Sequence, residues 1–344
     1  MKKNIIAMAV AAAVAAPAAA IADTTLYGKI SVSTDFYGGD NAKSNNYTIS
    51  SNSSRIGIRG TEDIANNLAL VYQWEAEMGW GDDSSANGGF GGQRNTFIGF
   101  TGDWGTAIAG RHDTPFKLIS RKYDLFGDTI GDSRSILRGR NFDADWEKRT
   151  PNTIAYITPN MSGFQAKAAY VSDWSGGTDN DQDAWSLSAG YGIAGFSIDA
   201  AYEQVNVGSD DLEAWRLGAG YEFDGFKVVA LYQDTEMDFN GNSREAWGLG
   251  GSYTFGNNTV KAQWYTADSI DNTSSTGADM WAIGYDYKLS KQTSVYAMFA
   301  HMSNESNVCS YTLGGGTGHG KSAPIDGTTG ADISSVSFGV SHSF

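Results

Sequence analysis

Residues 112–150 hold the densest run of charge in the chain. Asp113, Asp124, Asp128, Asp132, Asp143 and Asp145 are interleaved there with Arg121, Arg134, Arg138 and Arg140. Side chains of these types can neutralise one another, or they can stand on two sides of a gap and set up a field across it. They do not by themselves supply nucleophilic catalysis, which needs a base held beside a hydroxyl, thiol or activated water. The histidines are scattered at positions 112, 301, 319 and 342, and the single cysteine, Cys309, stands alone in a polar stretch. No triad, no metal-ligand set and no cofactor motif emerges, so neither an enzymatic activity nor a cofactor is expected. A segment of this length without sustained alternation is uncommon in a folded protein and is usually functional. In a soluble fold it would serve as a lid; in a barrel with a lumen it could fold inward and narrow the hole.

The elements that must carry this segment read as β-strands. At the carboxyl end Val336, Phe338, Val340, His342 and Phe344 alternate with Ser337, Gly339, Ser341 and Ser343, a period of two. A terminal strand hides its edge by pairing with the first strand of a closed barrel. The opening of the chain has the same pattern, with Leu26, Ile30 and Val32 on one face and Tyr27, Lys29, Ser31, Ser33 and Asp35 on the other. Four similar units follow the charged segment, each led by a tryptophan: Trp185, Trp215, Trp247 and Trp281. Their outward series are Trp185, Leu187, Ala189, Tyr191; Trp215, Leu217, Ala219, Tyr221; Trp247, Leu249, Gly251, Tyr253; and Trp281, Ile283, Tyr285, Tyr287. Aromatics at both ends of an apolar band match the two interfaces of a membrane. The opposite faces carry Ser186, Arg216, Glu203, Lys227, Lys261, Gln263 and Asp286, as a water-filled interior requires.

Strands are predicted over 24–35, 48–60, 67–80, 93–102, 105–112, 151–158, 163–172, 182–192, 195–205, 212–223, 226–235, 244–255, 259–268, 278–288, 293–303 and 333–344. An even number of strands leaves both termini on the periplasmic side, and a barrel of this size leaves an aqueous channel. The fold expected is therefore all-β, a 16-stranded antiparallel transmembrane β-barrel. The loop 303–330, rich in Ser, Gly and Asn, is expected to lie outside the cell. Residues 1–22, with Lys2 and Lys3 ahead of an apolar run and the small residues Ala20 and Ala22 near the exit, read as a cleaved signal peptide, leaving 23–344 as the barrel. Cleavage takes the formal charge from the chain's -15 to about -17. Beyond Asp23 no apolar run approaches the roughly 20 residues of a membrane helix.

In this order the residues resemble the trimeric general (non-specific) porins of the Gram-negative outer membrane. The matching stretches are Leu26-Tyr27-Gly28-Lys29, Ser54-Arg55-Ile56-Gly57-Ile58-Arg59-Gly60, Arg94-Asn95-Thr96-Phe97-Ile98-Gly99-Phe100, Arg111-His112-Asp113-Thr114-Pro115, Arg149 with Asn152-Thr153-Ile154-Ala155-Tyr156, Gly163-Phe164 and the final Phe344. The resemblance implies that the long third loop, 113–150, folds into the lumen as a constriction loop. Asp124, Asp128 and Asp132 would be its acidic side, facing a basic cluster of Lys29, Arg55, Arg94 and Arg149. The loop reads Asp124-Leu125-Phe126-Gly127-Asp128 where the family has a Pro-Glu-Phe-Gly-Gly-like turn. Phe344 would be the signal read by the barrel assembly machinery. The partners implied are two further copies in a homotrimer, latched by the second loop at 81–92, lipopolysaccharide and other outer-membrane lipids, and periplasmic chaperones; no nucleic acid is expected.

The function expected is passive diffusion of ions and small hydrophilic solutes. The mature charge suggests a mild cation preference. A sugar-preferring porin would show an aromatic slide through the lumen, yet Tyr27, Tyr265 and Tyr296 share inward parity without forming a ladder. A surface adhesin or receptor barrel is the remaining alternative, and a barrel hydrolase finds no support in the scattered histidines.

Overall fold

Period-2 patterning makes strands whose two faces meet different solvents, and here that pattern closes on itself. The computed structural model describes residues 24–40, 47–80, 90–139, 145–174, 182–207, 210–237, 241–307, 311–314, 318–320 and 329–344. The expected signal peptide, the tip of the second loop, Arg140, Asp143 and Cys309 lie outside the described residues. The strands are β1 (Thr25–Gly39), β2 (Tyr47–Ser51), β3 (Arg55–Ala65), β4 (Leu68–Met78), β5 (Phe90–Gln93), β6 (Thr96–Gly102), β7 (Gly105–Asp113), β8 (Arg149–Ile157), β9 (Phe164–Val171), β10 (Ala184–Ile193), β11 (Phe196–Val207), β12 (Asp210–Phe223), β13 (Phe226–Met237), β14 (Asn242–Phe255), β15 (Asn258–Ala267), β16 (Ala278–Lys288), β17 (Thr293–Asn304) and β18 (Ile333–Ser343). Two of the sixteen spanning strands are interrupted: β2 and β3 are one strand broken at 52–54, and β5 and β6 one broken at 94–95. Strands pair antiparallel with their sequence neighbours, and β18 closes the barrel on β1 in register from Lys29↔Ser343 to Gly39↔Ile333. The seam is completed by Phe344, whose backbone exchanges hydrogen bonds with Gly28 at 2.9 and 3.1 Å. Its ring occupies the space over Gly28, where a Cβ would lie 2.3 Å from Cζ.

The outer face is apolar across its middle. Leu217 is 51% exposed and Ile283 55% exposed, in company with Leu187, Ile198, Val228, Leu249 and Phe338. Such a continuous apolar belt is untenable in water and natural against hydrocarbon. Rings bound it on both sides: Tyr170 packs on Trp185 and Tyr202 on Trp215 at one end, while Tyr221, Phe223, Phe226, Tyr253 and Phe255 form a stacked row at the other.

The largest apolar core lies inside the barrel. Between β7 and β8 the chain forms two helices, α1 (Pro115–Tyr123) and α2 (Arg134–Leu137). Thr114 caps α1 by accepting from Lys117 N, and Pro115 occupies the first turn, where its missing N–H costs nothing. Phe116, Ile119, Tyr123, Phe126, Ile130, Ile136, Leu137 and Trp146 are buried against the inward faces of the strands from β9 to β17. Those faces are built small to receive them. A Cβ on Gly218 would sit 2.2 Å from Tyr123 Cδ2, and one on Gly284 would sit 2.8 Å from Phe126 Cε1.

The final long loop, expected from its polar composition to be solvated, is buried at several of its described residues. Tyr311, Thr312, Leu313 and His319 are buried, with Tyr311 and Leu313 belonging to the same core as the inward helices. Tyr311 and Leu313 are the apolar side chains by which the described part of 303–330 joins that core.

Candidate functional site

Arg216, on the inner face of β12, is the post on which the inward segment is hung. Its Nη1 donates to Phe116 O at 3.0 Å, its Nη2 to Glu147 Oε1 at 2.6 Å, and its guanidinium lies 4.0 Å from the Phe116 ring centre. Both members of the Arg216–Glu147 pair are fully removed from water. Gln233 Nε2 donates to Leu137 O, and Gln263 Nε2 donates to Gly131 O and to Asp124. Paired buried charge of this kind stabilises little on net, but removing one partner is severe, so it fixes where the segment sits.

This anchoring brings the expected basic cluster and one of the expected acids together. Asp128, at the inner tip of the segment, accepts from Arg121 Nη1 at 2.7 Å and Arg134 Nη2 at 3.1 Å, and Lys29 Nζ of β1 lies 3.9 Å away. Three cations around one carboxylate hold Asp128 far below the ordinary carboxylate range despite its burial. Arg94 Nε donates to Glu75 Oε1 at 2.5 Å, and Arg55 Nε stands 3.7 Å from the same carboxyl group. Arg149 Nε lies 3.1 Å from Asp113 Oδ1 and donates to Asn95 Oδ1 at 2.7 Å. Lys117 Nζ approaches the same Asp113 oxygen at 2.8 Å.

The other two expected acids serve the inward segment itself. Asp124 accepts from Phe126 N at 2.8 Å, Ser133 N at 3.1 Å and Gln263, while burial and the neighbouring Asp132 carboxylate push its pKa up to about 7. Asp132, fully buried, accepts from Asp128 N at 2.6 Å and from Arg134 Nη2 at 2.5 Å. The family resemblance implied that all three acids would stand on one side of the gap. The chain instead folds as a turn that directs Asp128 outward and uses its neighbours as local hydrogen-bond acceptors.

Sequence reasoning passed over Glu75, Asp113, Arg111 and Lys148 as members of the site. Inward parity on β4 was the available signal for Glu75, Arg111 and Asp113 stood in a stretch matched to the family, and nothing local distinguished Lys148 from ordinary solvated charge.

The arrangement leaves a cavity of about 530 Å³ between the inward segment and the wall from β2 to β8. Eight basic side chains line it, among them Arg94, Arg111, Lys117, Arg121, Lys148 and Arg149, against five acidic ones, Glu77, Asp113, Asp128, Asp145 and Glu147. Lys29 and Arg55 stand beside this space, in contact with Asp128 and Glu75, each with a quarter of its side chain exposed. Tyr265 is fully buried, Tyr296 accepts from Asn52 Nδ2, and Tyr27 donates to Glu75, so these three tyrosines form no aromatic slide.

Comparison with known proteins gives a consistent picture. Residues 7–307 match the family model described as Gram-negative porin. The chain is 31% identical over 325 residues to outer membrane porin protein 32 of Delftia acidovorans, covering 89% of this chain and 90% of the relative. It is 28% identical over 323 residues to the major outer membrane protein P.IB of Neisseria meningitidis serogroup B, covering 86% and 91%. Among solved structures, an anion-selective porin from Comamonas acidovorans superposes with a TM-score of 0.77 at 27% identity, covering 93% of this chain and 99% of that one. The Salmonella typhi OmpF complex with daunomycin superposes with a TM-score of 0.71 at 17% identity, a likeness of fold.

Proposed function

Since the chain belongs to the Gram-negative porin family and is an outer-membrane diffusion channel without enzymatic activity, we propose that it passes small hydrophilic solutes with a preference for anions. The observation that carries this is the excess of three basic side chains along the cavity. Selectivity is set where the path is narrow and lined by low-dielectric protein, because charges more than a Debye length of about 8 Å from a solute are screened by salt. Acids on the long loops and rims therefore weigh little, and the formal charge that suggested a cation preference is the wrong quantity to read. The relative described as an anion-selective porin supports the same direction.

In this reading the constriction is formed by Lys29, Arg55, Arg94 and Arg149 on the wall and by Asp128 with Arg121 on the inward segment. Opposed and unequal charges there orient water and dipolar solutes and disfavour apolar ones. Phe344, zipped to Gly28, serves as the assembly signal. Residues 1–22 are removed on export, and the channel works as a homotrimer among lipopolysaccharide and other outer-membrane lipids after delivery by periplasmic chaperones. The test is the reversal potential of the refolded protein in a planar bilayer under a potassium chloride gradient. A sign reporting chloride as the more permeant ion is expected. A potassium-selective channel refutes the anion preference, and a folded, inserted barrel that passes no current refutes the channel reading altogether.

A further inference from the structure

One stretch of the inner wall is apolar although it takes no part in seating the inward segment. Val71 of β4, Gly99 of β6, Ile108 of β7, Ala155 of β8 and Ala169 of β9 stand directly opposite one another across five strands. Ile108, Ala155 and Ala169 are buried, with Val71 and Phe97 packed on them and partly open. This cluster is separate from the core that holds the two helices. It faces the lumen, because the alternate residues Ile98, Phe100, Ile154 and Tyr156 are exposed in the outer belt. A wall that meets water carries polar side chains, as Gln73, Thr101 and Thr153 do on the same face of these strands. An aromatic ring left half-open among them is a cost that its packing does not offset.

The patch lies beside the basic cluster. Phe97 follows Asn95 by two residues on the same face of the chain, about 7 Å along it, and Asn95 Oδ1 accepts from Arg149 Nε at 2.7 Å. The Phe97 ring meets the His112 ring at 5.4 Å between centres, and the next residue, Asp113, lies 3.1 Å from Arg149. Gly110, directly opposite Phe97, has φ +146, and a Cβ there would lie 2.4 Å from Thr96 O, so the wall beside the ring is kept bare. Since β6 runs from the cavity towards the periplasmic turn at 102–105, a solute on its way inward passes a guanidinium and then an apolar surface.

We propose that Phe97, with Val71 beside it, is a specificity-determining residue of the channel, and that the anions it favours are carboxylates bearing an aromatic ring or a branched apolar chain. The proposal rests on the anion-preferring channel reading and names a solute class for it. Charge and shape fit this one occupant: its carboxylate stands against Arg149 while its ring, one side-chain spacing away, lies on Phe97 and Val71. A wholly apolar solute lacks the charge that brings it to this point, and a small anion lacks the surface to use the patch. An apolar cation meets the same patch beside a like charge.

The test uses planar bilayers with dilute potassium chloride on one side and potassium benzoate or potassium acetate on the other, at mildly alkaline pH where both probes are ionised. A contact that takes about 30 Å² of apolar surface out of water raises occupancy about 3-fold. The wild-type channel is therefore expected to pass benzoate at least as readily as acetate, although benzoate is the larger anion. Phe97→Gln is expected to lower the benzoate-to-acetate permeability ratio by about 3-fold while leaving the chloride-to-potassium ratio unchanged, which separates loss of the patch from general disturbance of the wall. A wild type that ranks the two anions by size overturns the proposal, as does a Phe97→Gln channel with the wild-type ratio. Should Phe97→Gln fail to fold, Val71→Thr, which keeps shape and β-branching, carries the test: the ratio should fall by about 1.5-fold, and an unchanged ratio overturns the proposal. A chloride-preferring channel indifferent to the ring sinks this proposal alone, whereas a potassium-selective or silent wild type sinks the reading beneath it.

Discussion

Replacing Arg94 by Gln removes one of the three excess positive charges along the cavity while preserving much of the side chain's volume. A unit charge about 6 Å from a solute in water changes its energy by about 0.7 kcal/mol, and screening over a Debye length of about 8 Å reduces this to about 0.3 kcal/mol. The first value multiplies anion passage by about 3 and divides cation passage by the same factor, while the screened value gives about 1.7 each way. The chloride-to-potassium permeability ratio should therefore fall by about 3- to 10-fold, the smaller change applying at physiological salt. Glu75 would retain Arg55 at 3.7 Å, so the local wall keeps a cation beside its buried carboxylate. The assay is the bilayer reversal potential at several ionic strengths, with heat-modifiable gel mobility as the control for folding. The change should shrink as salt rises towards molar concentrations, where the Debye length is about 3 Å. A reversal potential unchanged by Arg94→Gln at low salt would refute the argument that these lining charges set selectivity.

Three further outcomes follow from particular contacts. Arg216→Met strands Glu147 in the barrel interior with the Ser120 hydroxyl donating to it at 2.8 Å; unfolding of the folded channel should be easier by about 3–5 kcal/mol, measured in denaturant titration. Asp124 has a folded pKa above its unfolded value, so the folded state holds its proton more tightly and stability is lost as pH rises from the ordinary carboxylate range to about 7. Asp124→Asn should flatten that part of the stability-versus-pH curve, and an unchanged slope in thermal melts would count against the assignment. Gly28→Ala places a methyl 2.3 Å from Phe344 Cζ and 2.9 Å from Arg55 O; because the second neighbour is backbone, refolding yield on gels should drop, and normal yield would show that the barrel seam tolerates the shift.

The barrel was legible in the sequence because a strand's side chains alternate strictly and each face meets one solvent. Trp215, Leu217 and Tyr221 against Arg216 and Glu222 declare outside and inside without reference to any distant residue, and the seam of Phe344 on Gly28 follows from closing the order of strands. The motifs around Arg55, Arg94 and Arg149 implied an inner-wall place for those side chains through their resemblance to the porin family. What the sequence left open was every question whose answer depends on residues far apart in the chain. Asp124, Asp128 and Asp132 look equivalent along the chain, and only the fold of the segment around them sends one to the cavity and two into its own hydrogen bonds. Asp35 and His319 are separated by most of the chain, and the polar composition around His319 pointed to open water until the barrel brought a buried carboxylate to meet it. Which charges line the cavity is a question of the same kind. Formal charge sums over the whole surface, whereas a solute responds to the side chains within a Debye length of the narrow part of its route, and only the tertiary structure determines which those are.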